Sequence, residues 1–561
     1  MAEAESTEAK ESNSLDEILQ ELEVSQVAVM EIECDKVRSV ETKDALQRVR
    51  AITSKEELHA DSQGKEYSET KIGKIMERII EYKIPHKLGV IVKEFEKCTA
   101  KDLDEEDPRL TEAILIECYW LLGNIASGQT KHTEIVAELG LMPFARKLFL
   151  TLPLDSALQA TIVSFFNNLI AEASILPKAQ VNTQFFDKLL SMLTFYKRKL
   201  LLQGRCDNKS CRACRDLYES ATCVLGMFTS IFRLKERKRV KPDRFTKSVL
   251  SLCDLVQVED VDILIACLEA LLKASDFQYI NQFVTVTRDN SYMAIICKRM
   301  HHDNVQVRQK ATLVCGNFLL DEDEVTETVL KVPMLTYIIS LLYSVPEEGG
   351  RALWLFSNVS ASGCDELIRT VYTFDYLPYV VFFLYSTNVR VAVDALWIVT
   401  NMLCSFRDVK YKERMLARDE YGMVAAMLPL LNADHFDAPD QEDRKREIID
   451  LMADSMTYLA HFFDEQLAGG DEEKNWENVA KYENVVKLCH EKLQDNSHIA
   501  FESHRDSFSS VVGIIESLKE VHRVEEEQLQ QASQNSQQTA SSREGSNINY
   551  SAMLIQIYEQ L

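Results

Sequence analysis

Seven segments of this chain resemble one another: ECYWLLGNIAS, TIVSFFNNLIA, SATCVLGMFTS, LIACLEALLKA, KATLVCGNFLL, RALWLFSNVSA and DALWIVTNMLC. One anchor position in each falls at Asn124, Asn168, Met227, Leu271, Asn317, Asn358 and Asn401, with spacings of 44, 59, 44, 46, 41 and 43 residues. No other feature restricts the fold as strongly. A unit of two or three helices cannot bury its own apolar face, so units must stack and share one continuous core. The long interval contains RCDNKSCRACRD, Arg205–Asp216, which reads as an insertion between helices.

Five of the six spacings lie near the roughly 40–47 residues of armadillo and HEAT repeats. From about 71 to 522 apolar residues recur at three and four, the helical period. Several breaks place a proline just inside the next apolar run, at Pro85, Pro143, Pro333 and Pro378. Proline suits a first helical turn because the N–H it lacks would have no partner there. Only 17 glycines and 11 prolines argue against hairpins and Gly-rich nucleotide loops. The expectation is an all-α fold, an armadillo-repeat superhelical solenoid of about nine to ten repeats. Residues 1–70 carry 18 acidic and 8 basic side chains and read as an acidic, mobile or weakly helical arm. The solenoid spans 71–522. Residues 523–561 read as a Gln/Ser-rich tail ending in a short amphipathic helix over YSAMLIQIYEQL.

The balance of 63 basic and 88 acidic residues, net charge -25, repels nucleic acid and anionic membrane and suits a basic partner. No run approaches the roughly 20 apolar residues of a membrane span, and the acidic N-terminus lacks a secretory h-region. Fourteen cysteines without an export signal read as reduced thiols of the cytosol or nucleus.

Three of the four tryptophans are followed four residues later by asparagine, as Trp120/Asn124, Trp354/Asn358 and Trp397/Asn401, all at one phase of the repeat. Residues i and i+4 share a helix face, so each pair presents an indole beside a carboxamide. A single pair would read as core packing and a surface amide. Three in phase, on helices expected to line a concave groove, read as a site for an extended peptide. The amides would meet its backbone. The indoles would wall slots for alternate Lys or Arg side chains, each cation–π contact contributing roughly 0.5–2 kcal/mol. Carboxylates near the rim, Asp394, Asp321–Glu324 and Glu172, would favour the cation.

At these residues the chain resembles importin alpha, the armadillo-repeat receptor for nuclear localisation signals. CYWLLGNIASG at 118–128 is similar to that family's second repeat, and RALWLFSNVSASG and DALWIVTNMLCS to its seventh and eighth. The resemblance implies two basic-peptide sites. A partial major-type site would comprise Trp120, Asn124, Gly128, Thr130, Asn168 and Glu172. A minor-type site would comprise Asn317, Trp354, Asn358, Asp394, Trp397 and Asn401. Ser164 and Cys223 replace the next two tryptophans of the major series, Met227 replaces an asparagine, and Leu313 stands where the family usually has arginine. Binding is therefore expected to centre on the C-terminal pair. Family members also begin with a basic helix that binds importin beta, and the acidic residues 1–70 contain no such helix, which disfavours that partner.

The resemblance implies a receptor for basic cargo in nuclear import, present in cytoplasm and nucleus. The alternative is a divergent armadillo scaffold or adaptor of cytoskeletal, adhesion or ubiquitin-ligase type. Cys206, Cys211 and Cys214 form C-x4-C-x2-C, half of a zinc motif, and stand as a weak metal candidate. His301-His302 has no third partner at ligand spacing. No phosphate loop, nucleophile elbow or H-E-x-x-H is present, so neither enzyme activity nor a cofactor is expected.

Overall fold

The computed structural model describes residues 2–33, 36–54, 67, 70–97, 108–172, 174–175, 181–202, 212–233, 241–275, 280–289, 292–318, 346–361, 377–405, 423–431, 442–468, 472–495 and 499–540. Every regular element among them is helical. The chain divides into two compact units, Met1–Tyr337 and Ile338–Leu561.

In the first unit the repeating segments form α5 (Pro108–Ala126), α8 (Ala157–Ala171), α10 (Arg212–Arg233), α12 (Val261–Ala274) and α15 (Val305–Phe318). Each packs on the next, as rungs of a ladder. Between them lie α6 (Thr130–Glu138), α7 (Met142–Thr151), α9 (Thr183–Leu202), α11 (Pro242–Leu255), α13 (Ile280–Asp289) and α14 (Tyr292–Lys298), which form the outer layer. Proline occupies the first turn of α7 and of α11, as the sequence pattern requires. Phenylalanines join rungs to outer layer. Phe149 stacks on Phe185 at 4.3 Å between centroids, and edge contacts continue through Phe166, Phe186, Phe228, Phe232 and Phe245. Rings so fully enclosed contribute on the order of 1.5–3 kcal/mol each.

The segment read as an arm is folded where it is described. α1 (Ala2–Met30) and α2 (Val40–Thr53) pack on each other, and α2 lies against α5 as one further rung. Leu22, Leu46, Val49 and Ile52 are fully enclosed. The Ser39 hydroxyl caps α2 by accepting from the Thr42 N–H. The acidic surplus therefore decorates a capping repeat whose apolar stripe is short but complete. α3 (Lys71–Glu81) and α4 (Ile84–Glu96) close the outer layer at this end.

The second unit repeats the arrangement with α16 (Pro346–Ser360), α18 (Val389–Ser405), α20 (Glu442–Leu467) and α22 (Glu502–Ala540) as successive rungs. α17 (Leu377–Leu384), α19 (Met423–Met427) and α21 (Glu472–Asp495) accompany them. Phe462, Phe463, Tyr482 and Phe508 cluster at its centre. The Gln/Ser-rich stretch read as a tail continues α22 to Ala540. Gln, Glu and Ala are good helix formers, and Phe508, Val511 and Ile515 anchor the helix from which they extend. The expected terminal helix beyond 540 lies outside the described residues, as do Cys206, Cys211 and Asp321–Glu324. Cys214 sits half-buried on α10. No helix among the described residues is long and apolar enough to cross a membrane.

Candidate functional site

The anchor position of each repeat lies at the seam between neighbouring rungs. The Asn401 Nδ2 donates to the Ser357 carbonyl at 3.1 Å and to Ser360 Oγ at 3.2 Å. Asn168 Nδ2 donates to the Gly123 carbonyl at 2.9 Å, and Asn317 Nδ2 to Ser275 Oγ at 2.9 Å. All four acceptors lie in the last turn, or at the cap, of the preceding rung: the Gly123 and Ser357 carbonyls, which each also take a following backbone N–H, and the Ser275 and Ser360 hydroxyls. Recurrence of the amide thus has a structural cause that the sequence reading did not include. Where the anchor is Met227 or Leu271, the side chain is fully enclosed in the same seam. Asn358 is buried as well.

The tryptophans sit one turn earlier, clear of the seam. Trp397 is 37% exposed and Trp354 is half-buried, so neither belongs to the interior. Because Asn401 bonds the rung of Trp354 beside Asn358, the two indoles occupy the same level of adjacent, packed helices. Asp394, three residues before Trp397, shares its helix face. Its side chain is only 9% exposed, and among the described residues nothing hydrogen-bonds to its carboxylate. Burial pushes the Asp394 carboxyl up to about 7. Arg390 and Arg444 pull it down without bonding to it, and the negative Glu447 adds to the rise.

Glu447 was not visible as a site residue in the sequence. It lies on α20, one rung beyond the last tryptophan–asparagine pair. Its Oε1 accepts the Trp397 indole N–H at 2.9 Å, and its Oε2 accepts from Arg444 Nη1 at 2.5 Å. Extending the repeat by one period past Asn401 would have pointed to this stretch of α20.

The N-terminal residues are arranged differently. The Arg50 guanidinium of α2 lies 4.6 Å over the Trp120 ring. The same group reaches both oxygens of Glu117 at 3.2 Å, and Gln47 Nε2 adds a bond at 3.3 Å. Glu117 is 5% exposed, so this carboxylate is buried but fully paired. Thr130 Oγ1 donates to Glu172 Oε2 at 3.0 Å, joining the start of α6 to the end of α8. At Gly128 a Cβ would lie 2.5 Å from His132 Nδ1 and 2.9 Å from the Tyr67 hydroxyl, so the chain is compact there for want of a side chain. His132 is fully enclosed. Its Nδ1 accepts from the Gln129 N–H at 3.3 Å and its Nε2 meets Glu77 at 3.1 Å. Lys131 also bonds Glu77, and together they hold that carboxyl below its usual range. Among the described residues the carboxamide of Asn124 makes no seam bond.

Asn317 belongs to the first unit and the other five minor-type residues to the second. Among the described residues no group of histidines, cysteines and carboxylates is placed to hold a metal ion.

No family model matches this sequence, and no curated protein matches it. Among solved structures, an engineered protein from a structural genomics consortium aligns over 83% of this chain and 98% of its own, at 14% identity and a TM-score of 0.53. A designed armadillo repeat protein in complex with the peptide (KR)4 aligns over 47% of this chain and 99% of its own, at 14% identity and a TM-score of 0.36. A structure of computationally designed armadillo repeat proteins for modular peptide recognition aligns over 46% and 99%, at 13% identity and 0.35. With the ladders of packed rungs, the likeness over most of the chain gives this protein an all-α, armadillo-repeat solenoid fold.

Proposed function

We propose that this protein is an importin-alpha-like receptor. It binds basic nuclear localisation signals in extended form on the ladder face of α16, α18 and α20, acts in protein import into the nucleus, and moves between cytoplasm and nucleus. It is a binding protein without catalytic activity. One observation carries the reading: Asp394 is 9% exposed and, among the described residues, no group hydrogen-bonds its carboxylate, whose oxygens still reach the surface on the same face as the exposed Trp397 ring. Removing a carboxylate from water is unfavourable unless a cation or donor replaces the lost hydration. A lysine or arginine side chain supplies both the charge and an aliphatic stem for the indole. Cargo would be a protein with an exposed, extended basic segment, in keeping with the net charge of -25.

The test is fluorescence anisotropy with a labelled basic localisation peptide against wild type, a Trp354→Ala/Trp397→Ala double variant and Trp120→Ala. Binding is expected at micromolar affinity or better, weakened by salt as a charge-driven contact must be. Only the double variant should lose it. Loss in Trp120→Ala alone would move the site to the first unit. Absence of wild-type binding would leave a scaffold of another kind. A pull-down with importin beta tests the transport role separately, since cargo recognition and carrier docking use different surfaces.

A further inference from the structure

We infer that Glu447 sets the specificity of the Trp397 slot, orienting the indole and supplying a second carboxylate for one cationic side chain of the ligand. This rests on the peptide-binding reading above and adds a rung to it. Trp397 Nε1 donates to Glu447 Oε1 at 2.9 Å, across the seam between α18 and α20. The ring is 37% exposed, and this bond ties its N–H end to the next rung. Donation to a charged acceptor is among the stronger neutral-to-ionic hydrogen bonds. It also shifts electron density into the indole, which raises the attraction of its face for a cation.

The carboxylates have complementary roles. Asp394 lies beneath the ring's level on the same helix, 9% exposed and unbonded. Glu447 approaches from the next rung and is partly exposed. Arg444 Nη1, from one turn before Glu447 on α20, occupies only Oε2 at 2.5 Å. The slot therefore has one buried acid, one rim acid and an aromatic wall held between them. Arg390 and Arg444 are the cations facing it, and neither hydrogen-bonds to Asp394. A ligand cation entering here meets Asp394 directly and Glu447 already paired through Oε2 with Arg444, whose charge it would share.

The experiment uses full-length protein and an octapeptide of alternating lysine and arginine, with anisotropy read at several salt concentrations. Glu447→Ala should weaken binding by about tenfold and reduce the salt dependence, because one desolvated charge partner is gone. Glu447→Gln keeps an acceptor for the indole N–H and removes the charge. It should recover part of the affinity and leave the salt dependence reduced. The split between the two variants separates orientation from charge, and circular dichroism confirms that both fold. Wild-type-like binding and salt slope in both variants, with the Trp354→Ala/Trp397→Ala variant still inactive, would overturn the role of Glu447 and leave the receptor reading standing. Failure of wild type to bind the octapeptide would remove both.

Discussion

Trp120 and Trp397 hold the same position in their repeats, each with an acid three residues earlier, Glu117 and Asp394. Their surroundings are opposite. Over Trp120 the chain has placed its own cation: Arg50 stacks on the ring and bonds both Glu117 oxygens. Near Trp397, Arg444 pairs with Glu447, the acid that holds the indole N–H, while among the described residues nothing hydrogen-bonds the largely buried Asp394. At the first site an indole beside a carboxylate holds a cation of the chain itself; at the second we propose that a ligand supplies it. What differs is whether the slot is filled within the chain. The first is part of the cap that closes the array; on the reading proposed here the second is open to a ligand.

The sharpest way to break this comparison is to remove each acid in turn. Asp394 titrates at about 7 in the folded protein, above its ordinary value. Between roughly pH 4 and 7 the unfolded chain has already released this proton while the folded protein keeps it, so stability falls as pH rises through that window. Asp394→Asn should therefore stabilise the second unit at pH 8, by on the order of 2–4 kcal/mol, and change little near pH 4. Denaturant titration at the two pH values measures it. Equal effects at both would mean that Asp394 carries no uncompensated charge. At the paired slot the sign reverses. Arg50→Ala leaves Glu117 buried without its cation and should destabilise the first unit by about 2 kcal/mol. An Arg50→Met/Glu117→Gln double variant should recover most of that loss, since it removes both charges while preserving volume.

Proton linkage gives a second, smaller contrast. If a ligand cation binds only the ionised form of Asp394, its affinity must rise with pH as the carboxyl deprotonates. Between pH 6 and 8 the ionised fraction of a group with a pKa of about 7 grows about tenfold. Anisotropy with a lysine/arginine peptide should show about that gain, and Asp394→Asn should abolish the dependence. A flat wild-type profile would mean that the ligand avoids this acid.

How far the sequence reached differs between the two slots. The repeat period and the phase of Trp120, Trp354 and Trp397 were legible because stacking forces equivalent residues onto equivalent faces. The openness of the Trp397 slot was not, since it depends on which side chains the neighbouring rungs present. Arg50 lies 70 residues before Trp120 and Glu447 50 after Trp397, in segments outside the seven similar ones. Within residues 1–70 the period over Leu15–Val24 and Asp44–Ile52 allows amphipathic helices, but among 18 acids nothing in it shows that Leu46, Val49 and Ile52 close a buried rung. Most instructive is the asparagine. Its recurrence was read as preparation for a peptide backbone, yet in Asn168, Asn317 and Asn401 an amide N–H is already donated to the preceding rung. A carboxamide has two N–H groups and an oxygen, so the seam bond leaves capacity toward a ligand, but it is by itself sufficient reason for the residue to repeat.

That point yields the smallest effect and separates the two uses of the amide. Asn401→Ala removes the bond to the Ser357 carbonyl, which still accepts from the Ala361 N–H at 3.0 Å. The bond to Ser360 Oγ goes with it, but that hydroxyl still donates to Ser357, so the loss is of seam bonds without an orphaned carbonyl, about 1–2 kcal/mol. Asn124→Ala, at the same repeat position but without a seam bond, should change stability by less than about 0.5 kcal/mol. Both are read by denaturant midpoint. If Asn401→Ala costs this stability and weakens peptide binding only in proportion to local loosening of the seam, the amide is a rung tie. If stability is unchanged and binding falls more than about tenfold, the carboxamide serves the ligand's backbone directly. The seam bonds at Asn168 and Asn317 would then need the same test before any of the three is counted as structural.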